Sequence, residues 1–209
     1  MDYKILDEKT IKWAHRLYWN KDFLKLAKIN ELEQIEQDRI FNELIIAGLL
    51  TCVFILEIQG DPDAESDMNR AHREYLRSIG IEKEHLDLWK KLLKMRYEEY
   101  TTSKNNARMA MIEYERKESP DGKINLDGIN FTLPPFNISV GAHKHIVRGK
   151  TKGRDILFKL IMKYLSRFYS QIYFEASGHK ISIEAKVNIK LRHLINDIKD
   201  KINSKSQNN

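Results

Sequence analysis

Residues 44–56 read Leu-Ile-Ile-Ala-Gly-Leu-Leu-Thr-Cys-Val-Phe-Ile-Leu, an uncharged and largely apolar run bounded by Glu43 and Glu57. At 13 residues it falls short of the roughly 20 that a membrane-crossing helix needs. It sits inside a longer segment that starts at Asn30, read as an N-cap with Glu33 reaching back, and stops at Gly60 and Pro62. The pattern predicts a helix of about 29 residues, roughly 43 Å long, whose second half is apolar on every face. A helix of that kind has no side to turn to water and must be surrounded by other elements. The expectation is a helical bundle with this segment at its centre.

The flanking sequence supplies helices to surround it. Residues 7–19 place Ile11, Ala14, Leu17 and Tyr18 at helical spacing, and a short apolar pattern follows over 23–29. Residues 63–78 form a shorter, polar helix ended by Gly80. Residues 82–117 form another long one before Ser119-Pro120-Asp121-Gly122 breaks the pattern.

After Pro120 the texture changes. Residues 123–126 and 129–131 alternate around Asp127-Gly128, a two-residue hairpin signal. Pro134-Pro135 interrupts, 136–140 reads as extended, and 141–153 reads as a glycine-punctuated basic loop. A strong helix is predicted over 155–169, with Ile156, Leu157, Leu160, Ile161, Tyr164, Leu165 and Phe168 on its apolar side. Residues 172–174 and the alternation over 181–191 suggest a second hairpin closed by Ser177-Gly178. The last amphipathic turns use Leu194, Ile195, Ile198 and Ile202. The expected fold is therefore mainly α: a helical bundle over 1–117, then a smaller basic α+β part with β-hairpins over 118–209, as a second domain or a second layer of the same one.

Charge follows the same seam. The chain has 36 Lys and Arg against 30 Asp and Glu, a net charge of +6. Residues 1–117 hold 20 basic and 22 acidic residues, a balance of −2, so 118–209 hold 16 and 8, a balance of +8. His143, Lys144, His145, Arg148, Lys150, Lys152 and Arg154 crowd just ahead of a predicted helix start, where unpaired amides and the helix dipole favour phosphate. Tyr164, Phe168, Tyr169, Tyr173 and Phe174 follow among Lys159, Lys163 and Arg167, an aromatic and cationic mixture suited to stacking single-stranded bases. Gly149-Lys150-Thr151 does not complete a phosphate-binding P-loop, because no glycine stands at the required distance before it.

A second constellation lies on the helices. His85, Trp89, Leu92, Arg96, Glu99 and Ser103 follow steps of three and four, and Glu36, Glu43 and Glu57 fall near one face of the central helix. Glu36, Glu43, Arg96, Glu99 and Tyr100 thus predict either a buried ion-pair network or an internal metal or small-molecule site of the ferritin-like carboxylate-bundle kind. The metal version wants two Glu-x-x-His pairs, and only Glu82 and His85 match, in the first turn of their helix. There is no Gly-x-Ser-x-Gly elbow and no His-Glu-x-x-His motif. The single cysteine, Cys52, lies in the apolar run without a histidine partner.

These features point to a cytoplasmic, non-enzymatic interaction protein without a cofactor or a membrane role, whose basic C-terminal part binds nucleic acid or another polyanion. Residues 1–11 lack the apolar core of a secretory leader. The alternatives are the internal bundle site and a purely structural subunit, assembled with a second copy or with a protein partner.

Overall fold

The computed structural model describes residues 2–118, 124, 126–149 and 155–178. At its centre α3 (Gln34–Ile58) buries every residue from Glu43 to Leu56, as an all-round apolar helix must. Around it stand α1 (Tyr3–Tyr18), α4 (Ala64–Ser78), α5 (Lys83–Glu118) and α6 (Leu126–Ile146), all four in contact with α3. Two short pieces, α2 (Lys21–Leu26) and a 3-10 turn (Ile29–Glu31), lead from α1 into α3, and α7 (Ile156–Ala176) follows α6.

The ring around α3 is continuous. Neighbouring contacts run from α1 to α4, from α4 to α5 and from α5 to α6. The first part of α7 closes it between α6 and α1. Phe158 meets Phe136 edge-on with ring centroids 6.2 Å apart, and Phe168 stacks on Trp13 at 5.2 Å. Trp13 Nε1 also donates to the carbonyl of Tyr164 at 3.2 Å, and Asn20 Nδ2 donates to the Tyr164 hydroxyl at 2.9 Å. Residues up to Tyr173 form one compact unit. A second begins at Phe174, and its described part is the end of α7, where Ser177 Oγ donates to the Phe174 carbonyl at 3.1 Å.

Helix ends follow local chemistry in most places. Asp2 caps α1 by accepting from the Lys4 amide, and Asn20 caps α2 by accepting from Asp22 and Phe23. Gly60, at φ 91°, closes α3 with the Asp61 amide on the Leu56 carbonyl and the Gly60 amide on Glu57, the paired bonds of a Schellman end. Gly80 repeats the arrangement after α4. The start of α3 differs from the sequence expectation. Asn30 lies in the 3-10 turn, Lys28 is left-handed at φ 54° and Leu32 is extended, so the N-cap of α3 is Glu33 rather than Asn30 and the helix begins at Gln34.

The expected α+β part with β-hairpins is not formed: among the described residues there are seven α-helices and no strand. Asp127-Gly128 lies in the first turn of α6, and Pro134, Pro135 and residues 136–140 continue the same helix. Local turn chemistry is overridden by burial. Ile129, Leu133, Pro134, Pro135 and Ile138 are covered by neighbouring helices, which offsets the ladder bonds that the two prolines cannot make. Residues 141–146, read as loop, are the last turns of α6, and residues 172–174, read as strand, are helical in α7. The alternation over 181–191, the turns at Leu194 to Ile202 and the basic residues Lys150, Lys152 and Arg154 lie outside the described residues.

Two glycines set how closely helices approach. A Cβ at Gly48 of α3 would stand 2.6 Å from Thr10 Cγ2 of α1, and one at Gly141 of α6 would stand 2.2 Å from the Tyr100 ring of α5. Tyr100 is fully buried and has nowhere to swing. Gly141→Ala is therefore expected to lower stability by about 2 kcal/mol in urea denaturation. An unchanged midpoint would contradict the close α5–α6 contact.

Candidate functional site

The two constellations that stand apart in the sequence meet in one place. Glu36, Arg39 and Glu43 lie three and four residues apart on α3, so they share a face. Arg96, Glu99 and Tyr100 share the facing side of α5, and the C-terminal turn of α6 brings His143, Lys144 and His145 alongside.

Charges alternate across this junction. Glu43, only 4% exposed, receives a two-pronged Arg96: Nη2 at 2.6 Å from Oε1 and Nε at 3.2 Å from Oε2. Arg96 Nη1 lies 3.6 Å from Glu99. Glu99 in turn accepts from Lys144 Nζ at 3.1 Å and contacts His145 Nε2 at 2.8 Å. Burial works against ionising Glu99, but the hydrogen bonds and charges of Lys144 and His145 outweigh it and hold the carboxyl below its ordinary range. Burial also works against charge on Arg96, and Glu43 more than compensates, raising its pKa.

A second strand of the network holds the end of α6. Arg39 donates to the carbonyls of His145 at 2.6 Å and Ile146 at 3.1 Å, the negative end of that helix dipole, while its Nε pairs with Glu36 at 3.1 Å. Glu36 also pairs with Arg148. Arg148 carries a left-handed φ of 52° at the helix end, and the Gly149 amide returns to the Lys144 carbonyl at 3.0 Å. An L-residue there costs about 1–2 kcal/mol relative to its usual backbone. Arg148 thus occupies the position where glycine is the usual signal, and Gly149, at φ 67°, follows it.

His143 points elsewhere. Its Nε2 lies 2.9 Å from Asp155 Oδ1, and the same oxygen caps α7 by accepting from the Phe158 amide at 2.8 Å. The His143 ring also meets Phe158 edge-on. Tyr100 lies beneath the network with its ring stacked over His145 at 6.3 Å. Burial, and then the charge of Glu43, push its phenol well above the ordinary value, and its hydroxyl has no hydrogen-bond partner among the described residues.

Glu36, Glu43, Arg96, Glu99 and Tyr100 are thus brought together with Lys144, His145 and Arg148, while His143 belongs to the α6–α7 junction. The sequence reading missed Arg39 and the role of Asp155 as a histidine partner. Arg39 was findable, since it stands between Glu36 and Glu43 at helical spacing. The pairing of His143 with Asp155 carries no sequence signal. A buried pair on α1 and α4, Asp7 Oδ1 and His72 Nδ1 at 2.7 Å, also went unread because each lies alone in a polar stretch.

The charged groups of the junction are paired with one another. Its carboxylates are taken up by cations, and among the described residues no group of three or more His, Cys, Asp or Glu is arranged to hold a metal ion. Compared with known proteins, the chain matches no protein-family profile, no curated protein and no solved structure.

Two outcomes follow. Arg96→Met leaves Glu43 buried without its counter-charge and is expected to cost about 3–5 kcal/mol, most of it recovered in the Arg96→Met, Glu43→Leu double variant. A double variant no better than the single one would contradict a buried pair. Glu99, depressed in the folded state, contributes stability that is full above its unfolded pKa of about 4.3 and is lost as pH falls through the lower folded value. Glu99→Gln should therefore lose stability at pH 7 and flatten the acid limb of a stability–pH profile.

Proposed function

We propose that the chain is a non-enzymatic interaction protein whose basic C-terminal part contacts nucleic acid or another polyanion, with the helical bundle as its rigid support. The charge balance supports this reading, since 118–209 carry +8 against −2 for the rest. The observation that carries it is the anchoring on both sides of Lys150, Lys152 and Arg154. On one side Arg39 and Glu36 hold the end of α6 and Arg148, and on the other His143 holds Asp155 at the start of α7. The three cations occur in the short stretch of chain between these anchors.

In this reading the seven cationic and histidine positions divide into two tasks. Lys144, His145, Arg148 and His143 already face carboxylates and act as positioning residues. Lys150, Lys152 and Arg154 neutralise phosphates, which would bind without regard to base sequence. Contacts of this sort release counter-ions, so affinity falls steeply with salt.

The test is binding to a mixed-sequence DNA duplex and a single-stranded RNA, titrated over a series of salt concentrations. The triple variant Lys150→Glu, Lys152→Glu, Arg154→Glu is expected to weaken both at least about tenfold and to reduce the salt slope by roughly 2–3. Absent binding, or binding insensitive to salt, would overturn the proposal.

A further inference from the structure

A groove of about 330 Å³ lies where α4 hands over to α5, lined by Arg73, Arg77, Ile81, Lys83, Leu86 and Asp87. Its walls come from the Schellman turn at Gly80, which reverses the chain and sets the first turn of α5 beside the last turns of α4. Arg73 and Arg77 stand four residues apart on α4 and share a face, and Lys83 opens α5.

The groove differs from the α3–α5–α6 junction in one respect. There, Lys144, Arg148 and Arg96 all face carboxylates. Here, no ion pair to Arg73, Arg77 or Lys83 is present among the described residues. Arg73 is oriented through Nε, which donates to Asn69 Oδ1 at 3.2 Å, and Asn69 is itself bonded to the Lys90 carbonyl at 3.4 Å. No hydrogen bond of the two terminal amino groups of Arg73 is present among the described residues, and Arg73 lines the groove. The lining counts three cations against Asp87 alone, a balance of +2. Leu86 is buried and Ile81 is exposed, so the apolar surface beside the charged one is that of Ile81, seated on Leu86.

We propose that this groove binds a small, soluble phosphate monoester with a flat or apolar body. A monoester carries about −1.5 to −2 charge near neutral pH, which matches the groove, whereas a diester carries a single charge. Guanidinium forks suit its oxygens, Lys83 adds a point charge at the positive end of the α5 dipole, and Ile81 receives the organic part. Asp87 is placed to accept a hydrogen bond from a ligand hydroxyl. This site is separate from the basic C-terminal part and does not depend on it.

The experiment is calorimetric titration of the full chain with phenyl phosphate, with inorganic phosphate and phenol as comparisons. Phenyl phosphate is expected to bind roughly tenfold more tightly than either, because only it meets both surfaces. The double variant Arg77→Gln, Lys83→Gln, at two exposed positions, should weaken phenyl phosphate at least about tenfold with an unchanged thermal midpoint. The triple variant at 150, 152 and 154 should bind it as the parent does. No binding of phenyl phosphate, or binding undiminished in the double variant, would overturn the proposal. So would co-sedimentation with phosphatidic acid vesicles that is lost in the double variant, if phenyl phosphate does not bind, since the ligand would then be a lipid surface.

Discussion

Everything in this fold answers to the burial of α3 on all sides. Side chains such as Leu44, Ile46, Leu49, Leu50, Val53, Phe54 and Ile55 are completely covered, each contributing on the order of 1.5–3 kcal/mol relative to exposure. Covering them takes a ring: α1, α4, α5 and α6 touch α3, and α7 packs against α1 and α6. The polar atoms on α3 must then find partners inside protein. Thr51 Oγ1 turns back to the Ala47 carbonyl, and Cys52 lies against Thr10. The two glutamates that bracket the apolar run are both met by α5: Glu43 by Arg96, and Glu57 by Tyr97 and Lys104. One long helix therefore clamps both charged ends of the buried segment.

The junction grows out of the same requirement. A carboxylate as buried as Glu43 needs a counter-charge, and once Arg96 supplies it the charges alternate outward to Glu99 and then to Lys144 and His145 on α6. Arg39 adds neutralisation of the α6 carbonyls. Ion pairs at the surface are worth little on their own, about 0–1 kcal/mol, so Lys144 and Arg148 matter for orientation more than for stability. The bundle thereby holds the chain on either side of its most basic stretch, while at the α4–α5 turn Arg73, Arg77 and Lys83 have no ion-pair partner among the described residues.

Much of this was legible. The helices up to Glu118 were placed by apolar spacing and by Gly60 and Gly80, whose left-handed backbones mark real ends. The grouping of Glu36, Glu43, Arg96, Glu99 and Tyr100 rested on Glu36 and Glu43 falling near one face of the central helix and on Arg96 and Glu99 sharing a stripe on the next long one. What failed was α6. Asp127-Gly128 and Pro134-Pro135 are strong local signals for a turn and a break, but they act over a few residues, while burial against α3 and α5 acts over the whole helix. The end of α6 was also concealed, because Arg148 takes the left-handed position where glycine is the usual signal. The pairing of basic residues with Glu36, Glu99 and Asp155 could not be read, since the partners lie up to 112 positions apart in the chain.

The most direct test of an apolar helix buried by its own protein is backbone amide hydrogen exchange on the full chain. Amides of residues 44–56 should exchange only through global unfolding and be the slowest in the molecule, with exposed turns near the end of α5 exchanging far sooner. Exchange in 44–56 as fast as in those turns would contradict the enclosed α3, and with it the ring and the junction built around it.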